Sequence, residues 1–435
     1  MRSTGISILT SVLLAAVAAQ GSAQVASTPT ALGMGGAFDG VARGNESIFL
    51  NPALLGLRGT PFWSVAFPQV AVGGTLLGTE FGDLRPIMRY RRVTEEQRDE
   101  ILSRVPPNGT EARYQVRLPL ASVQQGNLAL ALSYSSVGQH RIARDVLELL
   151  FDGYQEGRTD YTAGDSRGSR GTFWDLAAAY GKAVGPLSVG ATAHYYRGGT
   201  LLRSRLFDPH LELDVQDIEV EYRTVLTRGG HGYGVDLGAA FQPSPSITIS
   251  SSLSNVVSRM SWSQDLQMRT LKLNRHDIEH ENPLDLISRY EESEMALDPE
   301  SAPLASLALA EQLYDGMIMP SVVRVGAAWK GGQGTDIGVS FRRELDESRL
   351  GDFWSRSAGV GVQQRLPLVT LRAGYATNLD GGNMTTGGLS LGVLQIGLAR
   401  LHDEQVDGFE RAGWIGTFGI SVGTTGTMRT PGAIR

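Results

Sequence analysis

From Thr60 to Val422 the chain is a succession of short segments in which apolar and polar residues alternate, and the gaps between segments run long, short, long, short to the end. Period-two alternation marks a strand whose two faces meet different environments. The alternation of gap length adds topology: a barrel that spans an outer membrane has tight turns at one rim and longer loops at the other. The tight connections fall at residues 124–127, 184–186, 243–246, 331–334, 366–367 and 392–393. The long ones fall at 73–112, 138–171, 198–230, 263–319, 344–352, 378–384 and 402–412. These gaps divide the chain into about fourteen strands, an even number that places both chain ends on the side of the tight turns. The expected fold class is therefore all-β: a transmembrane antiparallel up-and-down β-barrel.

Composition is consistent with that reading. A soluble chain of 435 residues would ordinarily divide into several domains, but a large barrel need not. A hydrophobic content of 41 % is too low for a helical membrane protein. Beyond the N-terminus no apolar run reaches the ~18 residues a spanning helix requires, whereas a spanning strand needs only about ten, half of them apolar. The formal net charge of −6 and the lack of a basic run give no electrostatic basis for binding nucleic acid. With no cysteine, disulfides, thiolate catalysis and zinc–sulfur sites are excluded.

The first residues indicate export. Arg2 precedes an apolar stretch over residues 6–19, followed by Gly21-Ser22-Ala23, the layout of a secretory signal peptide with cleavage after Ala23. The expected organisation is a signal peptide over 1–23, an N-terminal plug over 24–59, the barrel over 60–422 and a short periplasmic tail over 423–435.

The faces of individual strands differ as a barrel demands. Leu187, Val189, Ala191, Ala193 and Tyr195 alternate with Ser188, Gly190, Thr192, His194 and Tyr196; Tyr233, Val235, Leu237 and Phe241 alternate with Gly234, Asp236 and Gly238. A charge facing lipid at the bilayer midplane costs roughly 2–4 kcal/mol. Arg113, Arg117, Asp175, Asp236, Arg324, Lys330, Asp336, Arg342, Arg365 and Arg372 are accordingly expected to face the lumen. Trp63, Tyr134, Trp174, Tyr180, Tyr195, Tyr233, Phe241, Trp329, Tyr375 and Trp414 lie on the apolar faces, as membrane-interface girdles require. A soluble β-sandwich also alternates, but it accounts for neither the gap lengths nor the outward aromatics.

The segment ahead of the first strand carries the most specific motif. Gly33-Met34-Gly35-Gly36-Ala37 is followed by Asn45 and then by Asn51-Pro52-Ala53. This resembles the N-terminal signature of FadL-type outer-membrane transporters and their PorV-like relatives, a small-residue run followed some fifteen residues later by an Asn-Pro-Ala that leads into the first strand. The resemblance implies fourteen strands and a hatch folded into the barrel, with Asn51, Pro52 and Ala53 at its centre. Glycines allow close backbone packing and Asn-Pro favours a turn, so the residues themselves suit a compact plug. The chain departs from the common barrel pattern at its C-terminus, which ends in Arg435 rather than an aromatic residue.

Three insertions in the long loops have helical character: residues 94–105, which open with a capping-box pattern, 143–151 and 303–319. Residues 201–226 alternate and read as a hairpin that extends the strands beyond the membrane.

Enzyme motifs occur without their contexts. His276-Asp277-Ile278-Glu279-His280 matches an inverted zinc-protease pattern but lies in a polar insertion before Pro283. Gly-x-Ser-x-Gly recurs at Ser166, Ser390 and Ser421 without the strand-turn-helix of a nucleophile elbow. The expectation is a non-enzyme with no cofactor and no metal. By resemblance, it would take up hydrophobic or amphipathic small molecules passively, with Leu147, Leu149, Leu150 and Phe151 as candidate capture residues. The alternative is a PorV-like accessory that binds secreted proteins without moving a solute. Either would reside among outer-membrane lipids.

Overall fold

The computed structural model describes residues 28–78, 95–152, 166–211, 218–273, 283–351, 354–406 and 408–423. The signal-peptide residues 1–23, the first plug residues 24–27, the tail beyond Gly423 and the His276–His280 motif lie outside them.

The strands are β1 (Trp63–Leu77), β2 (Thr110–Gln125), β3 (Leu128–Ile142), β4 (Arg167–Val184), β5 (Leu187–Leu211), β6 (Ile218–Arg228), β7 (Gly230–Ser244), β8 (Ile247–Trp262) and β9 (Leu266–Leu273). They continue as β10 (Met295–Ala296), β11 (Val322–Lys330), β12 (Thr335–Glu344), β13 (Arg356–Arg365), β14 (Val369–Asn378), β15 (Gly382–Leu391), β16 (Leu394–Val406) and β17 (Phe409–Gly423). All but β6, β9 and β10 form a closed 14-strand antiparallel barrel. Closure is made by β17 against β1, from Ser64↔Gly423 to Leu77↔Arg411. In hydrocarbon an unpaired backbone group costs several kcal/mol, and closure leaves no edge unpaired.

The remaining strands are an outgrowth of the rim with the longer loops. The first half of β5 pairs with β7, from Leu187↔Phe241 to Arg197↔His231. Its second half stays paired with β4 as far as Arg205 but exchanges β7 for β6, which pairs with β9 and through it with β10. At the opposite rim, two-residue turns join β2 to β3, β4 to β5 and β15 to β16, each opening with a glycine at positive φ (Gly126, Gly185, Gly392), the geometry that lets a tight hairpin follow the twist of its strands.

Side-chain exposure follows the alternation. Leu187, Val189, Tyr195, Tyr233, Leu237, Phe241, Val339 and Tyr375 are exposed on the outer wall, while Ser188, Thr192, Tyr196, Asp236, Asp336 and Arg342 are buried. Trp63, Trp174, Tyr180, Trp329 and Trp414 are also exposed, Tyr134 packs on Trp174 at 5.1 Å between ring centroids, and the Arg400 guanidinium lies over the Trp414 ring.

Strands outrun the sequence-read boundaries. β1 continues to Leu77, β3 to Ile142, β4 begins at Arg167 and β17 at Phe409. Above the membrane both faces of a strand meet polar surroundings, so pairing persists after hydropathic contrast ends. Helices cover Glu95–Arg104, Arg144–Asp152 and Leu304–Glu311, the last shorter than the 303–319 expected. A further helix, Pro283–Glu292, opens with proline at a position where the missing N–H costs nothing.

Replacing the outward Val339 at the centre of β12 by arginine is expected to destabilise the barrel by about 2–4 kcal/mol. Denaturant unfolding in lipid vesicles measures this, and an unchanged midpoint would place Val339 away from lipid.

Candidate functional site

The N-terminal segment fills the half of the lumen nearest the tight turns. It comprises a helix at Pro29–Gly33 and 3-10 helices at Gly44–Phe49 and Pro52–Gly56, and its apolar residues Leu32, Met34, Phe38, Ala53 and Leu54 are buried. Each residue of the Asn-Pro-Ala motif has a local task. The Asn51 Oδ1 accepts from Ala53 N–H at 2.9 Å and caps the turn, while Pro52 starts it with a preset φ. The same Asn51 side chain donates from Nδ2 to the carbonyls of Ala239 on β7 at 3.2 Å and Ser251 on β8 at 3.0 Å. Ala53 is fully buried and its carbonyl accepts from Ser188 Oγ at 2.7 Å.

The glycine run is explained by close approach. A Cβ on Gly35, whose φ is +63°, would lie 2.9 Å from the Tyr375 backbone nitrogen, and one on Gly40 would lie 2.8 Å from that of Ala328. The wall reciprocates: Gly190 faces Pro52, Gly326 faces Asp39, and Gly359, Gly361 and Gly374 face the Met34–Gly35 backbone. Gly33 packs on Gly388 and Arg372, Met34 is wholly buried, Gly36 accepts at its carbonyl from Ser340 Oγ, and Ala37 lies against Gly338.

Sequence reasoning missed the tethers on the wall. Ser64 Oγ accepts from Asn45 N–H at 2.7 Å and Ser122 Oγ from Asn45 Nδ2 at 2.8 Å. Ser250 and Ser252 donate to the carbonyls of Asp39 and Leu50, both at 2.8 Å, and Thr386 donates to Gly33 O. The available signal was a run of hydroxyls at lumen-facing positions near the tight-turn ends of strands.

Beyond the plug the wall becomes charged. His194 on β5 lies between Asp175 of β4, 2.9 Å from Nδ1, and Asp236 of β7, 3.2 Å from Nε2. Asp236 also accepts from the backbone N–H of Asn255 at 2.7 Å, where β8 bulges with Asn255 at φ 52°. Asn255 in turn accepts from the Tyr196 hydroxyl and donates to Pro320 O. Elsewhere Arg324 donates to Ser254 Oγ, Arg342 pairs with Glu344 and donates to Trp354 O, and Arg113 pairs with Glu111. Arg117 bonds the Gln115 side-chain oxygen, and Arg372 bonds Gln363 and Ser390. Asp336 is buried against Gln363 and Arg365 near the tight-turn rim, where Arg365 is half exposed and Lys330 is Asp336's cross-strand neighbour.

Under the long loops an apolar cluster joins Phe173, Tyr196, Leu201, Val225, Trp262, Leu309, Leu313 and Met317, with Met260, Met268 and Tyr314 against it. Phe173 and Tyr196 meet edge to face at 6.1 Å, and Trp262 Nε1 donates to Met317 O. Of the candidate capture residues, Leu147 is buried, as are Ile101, Leu102 and Val105 of the neighbouring insertion; the side chains of Leu149, Leu150 and Phe151 lie outside the described ones. Outside the barrel rim, Glu294 bonds both Arg228 and Arg269 and ties the 283–296 segment to the small sheet.

One wall seam is incompletely laced. Between β1 and β2 the register stops at Ala66↔Ser122 and resumes at Ala71↔Arg117. The interval holds Pro68 and Pro119, which lack an N–H to donate. Gln69 within it is wholly buried, with neither amide atom hydrogen-bonded.

The three Gly-x-Ser-x-Gly serines lie apart in the described structure. Ser390 sits mid-strand bonded to Arg372, Ser421 lies in β17, and Ser166 accepts from Ala143 N–H ahead of β4. Among the described residues no group of histidine and carboxylate side chains could hold a metal ion.

The architecture has known counterparts. TbuX, a toluene transporter of Ralstonia pickettii, matches over 92 % of this chain and 98 % of its own at 14 % identity and TM-score 0.50. TodX, a toluene transporter of Pseudomonas putida, matches over 93 % and 99 % at 12 % identity and TM-score 0.52. This protein has the fold of the FadL-type transporters. CymD, a monoaromatic hydrocarbon channel, shares it at 13 % identity and TM-score 0.51, over 92 % of this chain and 98 % of its own. No family model and no curated protein matches the sequence. At such identities the likeness is one of fold.

Asn51→Ala removes the turn cap and both wall bonds, and is expected to raise amide exchange across residues 29–57 by about tenfold or more, since a buried hydrogen bond contributes about 1 kcal/mol and its orphaned partners cost further. Hydrogen-exchange mass spectrometry checks this, with the β12–β16 ladder as an unchanged reference. For Glu294, bonds from Arg228 and Arg269 hold the carboxyl down to about 2, below its ordinary 4.5. A depressed carboxyl stabilises the folded state above its unfolded pKa and loses that contribution as pH falls through the folded value. Exchange protection at residues 293–296 should therefore persist at pH 4 and fall as pH approaches about 2.

Proposed function

We propose that this protein is an outer-membrane channel for uptake of hydrophobic or amphipathic small molecules, acting without catalysis. The observation that carries the reading is the vertical order of the lumen: a buried apolar and aromatic cluster beneath the long loops, a polar band below it, and a small-residue plug across the remainder. An apolar molecule captured at the loops is desolvated by the cluster and then meets the plug. Two departures are built into the wall and plug: rearrangement of the plug toward the periplasm, or passage through the β1–β2 seam, where the missing ladder bonds leave less to break. The similar TodX, TbuX and CymD are described as toluene transporters or a monoaromatic hydrocarbon channel, which supports apolar aromatic compounds as the first class to test.

The plug is proposed as the gate, with Gly33, Met34, Gly35, Gly36, Ala37, Asn51, Pro52 and Ala53 as its working residues. Nothing among the described residues favours the secreted-partner shuttle.

Whole cells of a Gram-negative host carrying the protein should accumulate labelled toluene faster than vector-only cells. In the double variant Ala53→Cys/Ser188→Cys, which puts thiols on the two residues joined by the 2.7 Å bond from the Ser188 hydroxyl to the Ala53 backbone carbonyl, oxidation should slow uptake and reduction restore it if the plug must move. Accumulation equal to vector-only cells would sink the uptake reading; uptake indifferent to oxidation would direct the route to the seam.

A further inference from the structure

The lumen-facing positions of β5 change character in order from the tight-turn end outward. Ser188 and Gly190 contact the plug, Thr192 and His194 follow, then Tyr196, and then Gly198, against which the Trp262 ring lies. The middle of this series carries two carboxylates to one imidazole. Asp175 and Asp236 approach opposite nitrogens of His194, so the trio bears a net negative charge in either protonation state of the imidazole. Their side chains keep 10–20 % of their surface exposed in mid-barrel, so the trio faces accessible lumen.

A second observation shows that this stretch is incompletely satisfied by the protein. Thr192, in register with Asp236 on the same lumenal face, is 1 % exposed and its hydroxyl has no hydrogen-bond partner. His194 Nε2, although 3.2 Å from Asp236, is likewise without a well-directed hydrogen bond. Buried polar atoms are normally paired, and an unpaired hydroxyl in register with the Asp236 carboxylate is an acceptor pair awaiting a donor. The cation facing this level from β2, Arg117, is engaged by the Gln115 side chain. Immediately outward lie the Tyr196, Phe173 and Trp262 rings, an apolar and π-rich surface.

We propose that this junction is a binding site for the cationic nitrogen of an amphipathic amine, with Asp236 and Thr192 receiving the ammonium, Asp175 adding its charge from the far side of His194, and the Tyr196–Phe173–Trp262 cluster receiving the aromatic or aliphatic body. An ammonium donates three hydrogen bonds and accepts none, which matches a set of carboxylate and hydroxyl oxygens, and charge-assisted bonds of this kind are about twice as strong as neutral ones. Its positive charge is also favoured near the π faces above. A carboxylate-bearing ligand of the same shape meets two like charges here and is disfavoured. The inference deepens the uptake reading by assigning a substrate class to the lumen, and it rests on that reading only for the direction of transport.

Benzylamine, toluene and benzoate share one ring and differ in charge. Their binding to the full-length protein in detergent, followed by saturation-transfer NMR, should place benzylamine at least about tenfold tighter than benzoate, the factor that one charge-assisted hydrogen bond supplies. Asp236→Asn, which retains an oxygen for the Asn255 N–H, and the isosteric Thr192→Val should each lower the benzylamine preference about fivefold and leave toluene binding unchanged. Heat-modifiable electrophoretic mobility confirms that each variant is a folded barrel, and Thr192→Val leaves the Asp–His–Asp trio intact. Equal or tighter binding of benzoate, or an amine preference that survives both substitutions, would overturn the proposal while leaving toluene uptake by cells as support for the channel. Amine binding with the stated dependence, but no uptake of any of the three by cells, would uphold the site and remove the transport reading.

Discussion

Every level of this structure depends on the requirement that backbone N–H and C=O groups be paired in hydrocarbon, where no water can substitute. With no long apolar helix among the described residues, the chain meets it by closing a sheet, and β17 against β1 supplies the last ladder. Closure creates two chemically different faces from one period-two pattern. The outer face carries the leucines, valines and aromatic rings; the inner face is free to carry serine, threonine and charge. A wide barrel so formed has a lumen its own side chains do not fill, and the plug is the consequence.

The plug is held by many small contacts rather than by a few long ones. Its apolar residues are buried, yet its links to the wall are mostly single hydrogen bonds from short hydroxyls and close contacts between glycine backbones. Such contacts need little side-chain ordering to make and leave no long side chain to withdraw. Asn51 concentrates three bonds in one residue, spanning its own turn and two strands. The seam at β1–β2 and the bulge at Asn255 are departures from regular pairing beside buried polar groups, Gln69 and Asp236 respectively. In both, a buried side chain faces a place where the ladder has been relaxed.

Much of the fold was legible because the bilayer imposes its pattern on the sequence. Strand number follows from gap parity, and facing follows from alternation; Asp236 and Arg342 are buried inward and Leu237 and Phe341 exposed outward as the pattern requires. The Gly33–Ala37 and Asn51–Ala53 motifs were legible as a plug through resemblance. Less was legible of the regions where water lies on both sides. The β5–β6 hairpin was read from the alternation over residues 201–226, but its pairing with β9 and the Pro283–Glu292 helix were not; they lie above the membrane, where no solvent boundary enforces periodicity. Of the apolar-spaced candidates Leu147 is buried, whereas the clustered Phe173, Tyr196 and Trp262 come from three different strands, a convergence that no local pattern shows.

The sequence by itself determined the architecture: a closed antiparallel barrel of fourteen strands with a small-residue N-terminal insert, because alternation, gap length and glycine content are local properties that a membrane reads one residue at a time. Only the tertiary structure decided what meets inside it. That His194 stands between Asp175 and Asp236, that Asn51 reaches the carbonyls of Ala239 and Ser251, and that Gly190 faces Pro52 are products of strand register and barrel curvature. Such contacts join residues distant in sequence, and their chemistry exists only once the ladder has fixed which side chain stands at which height.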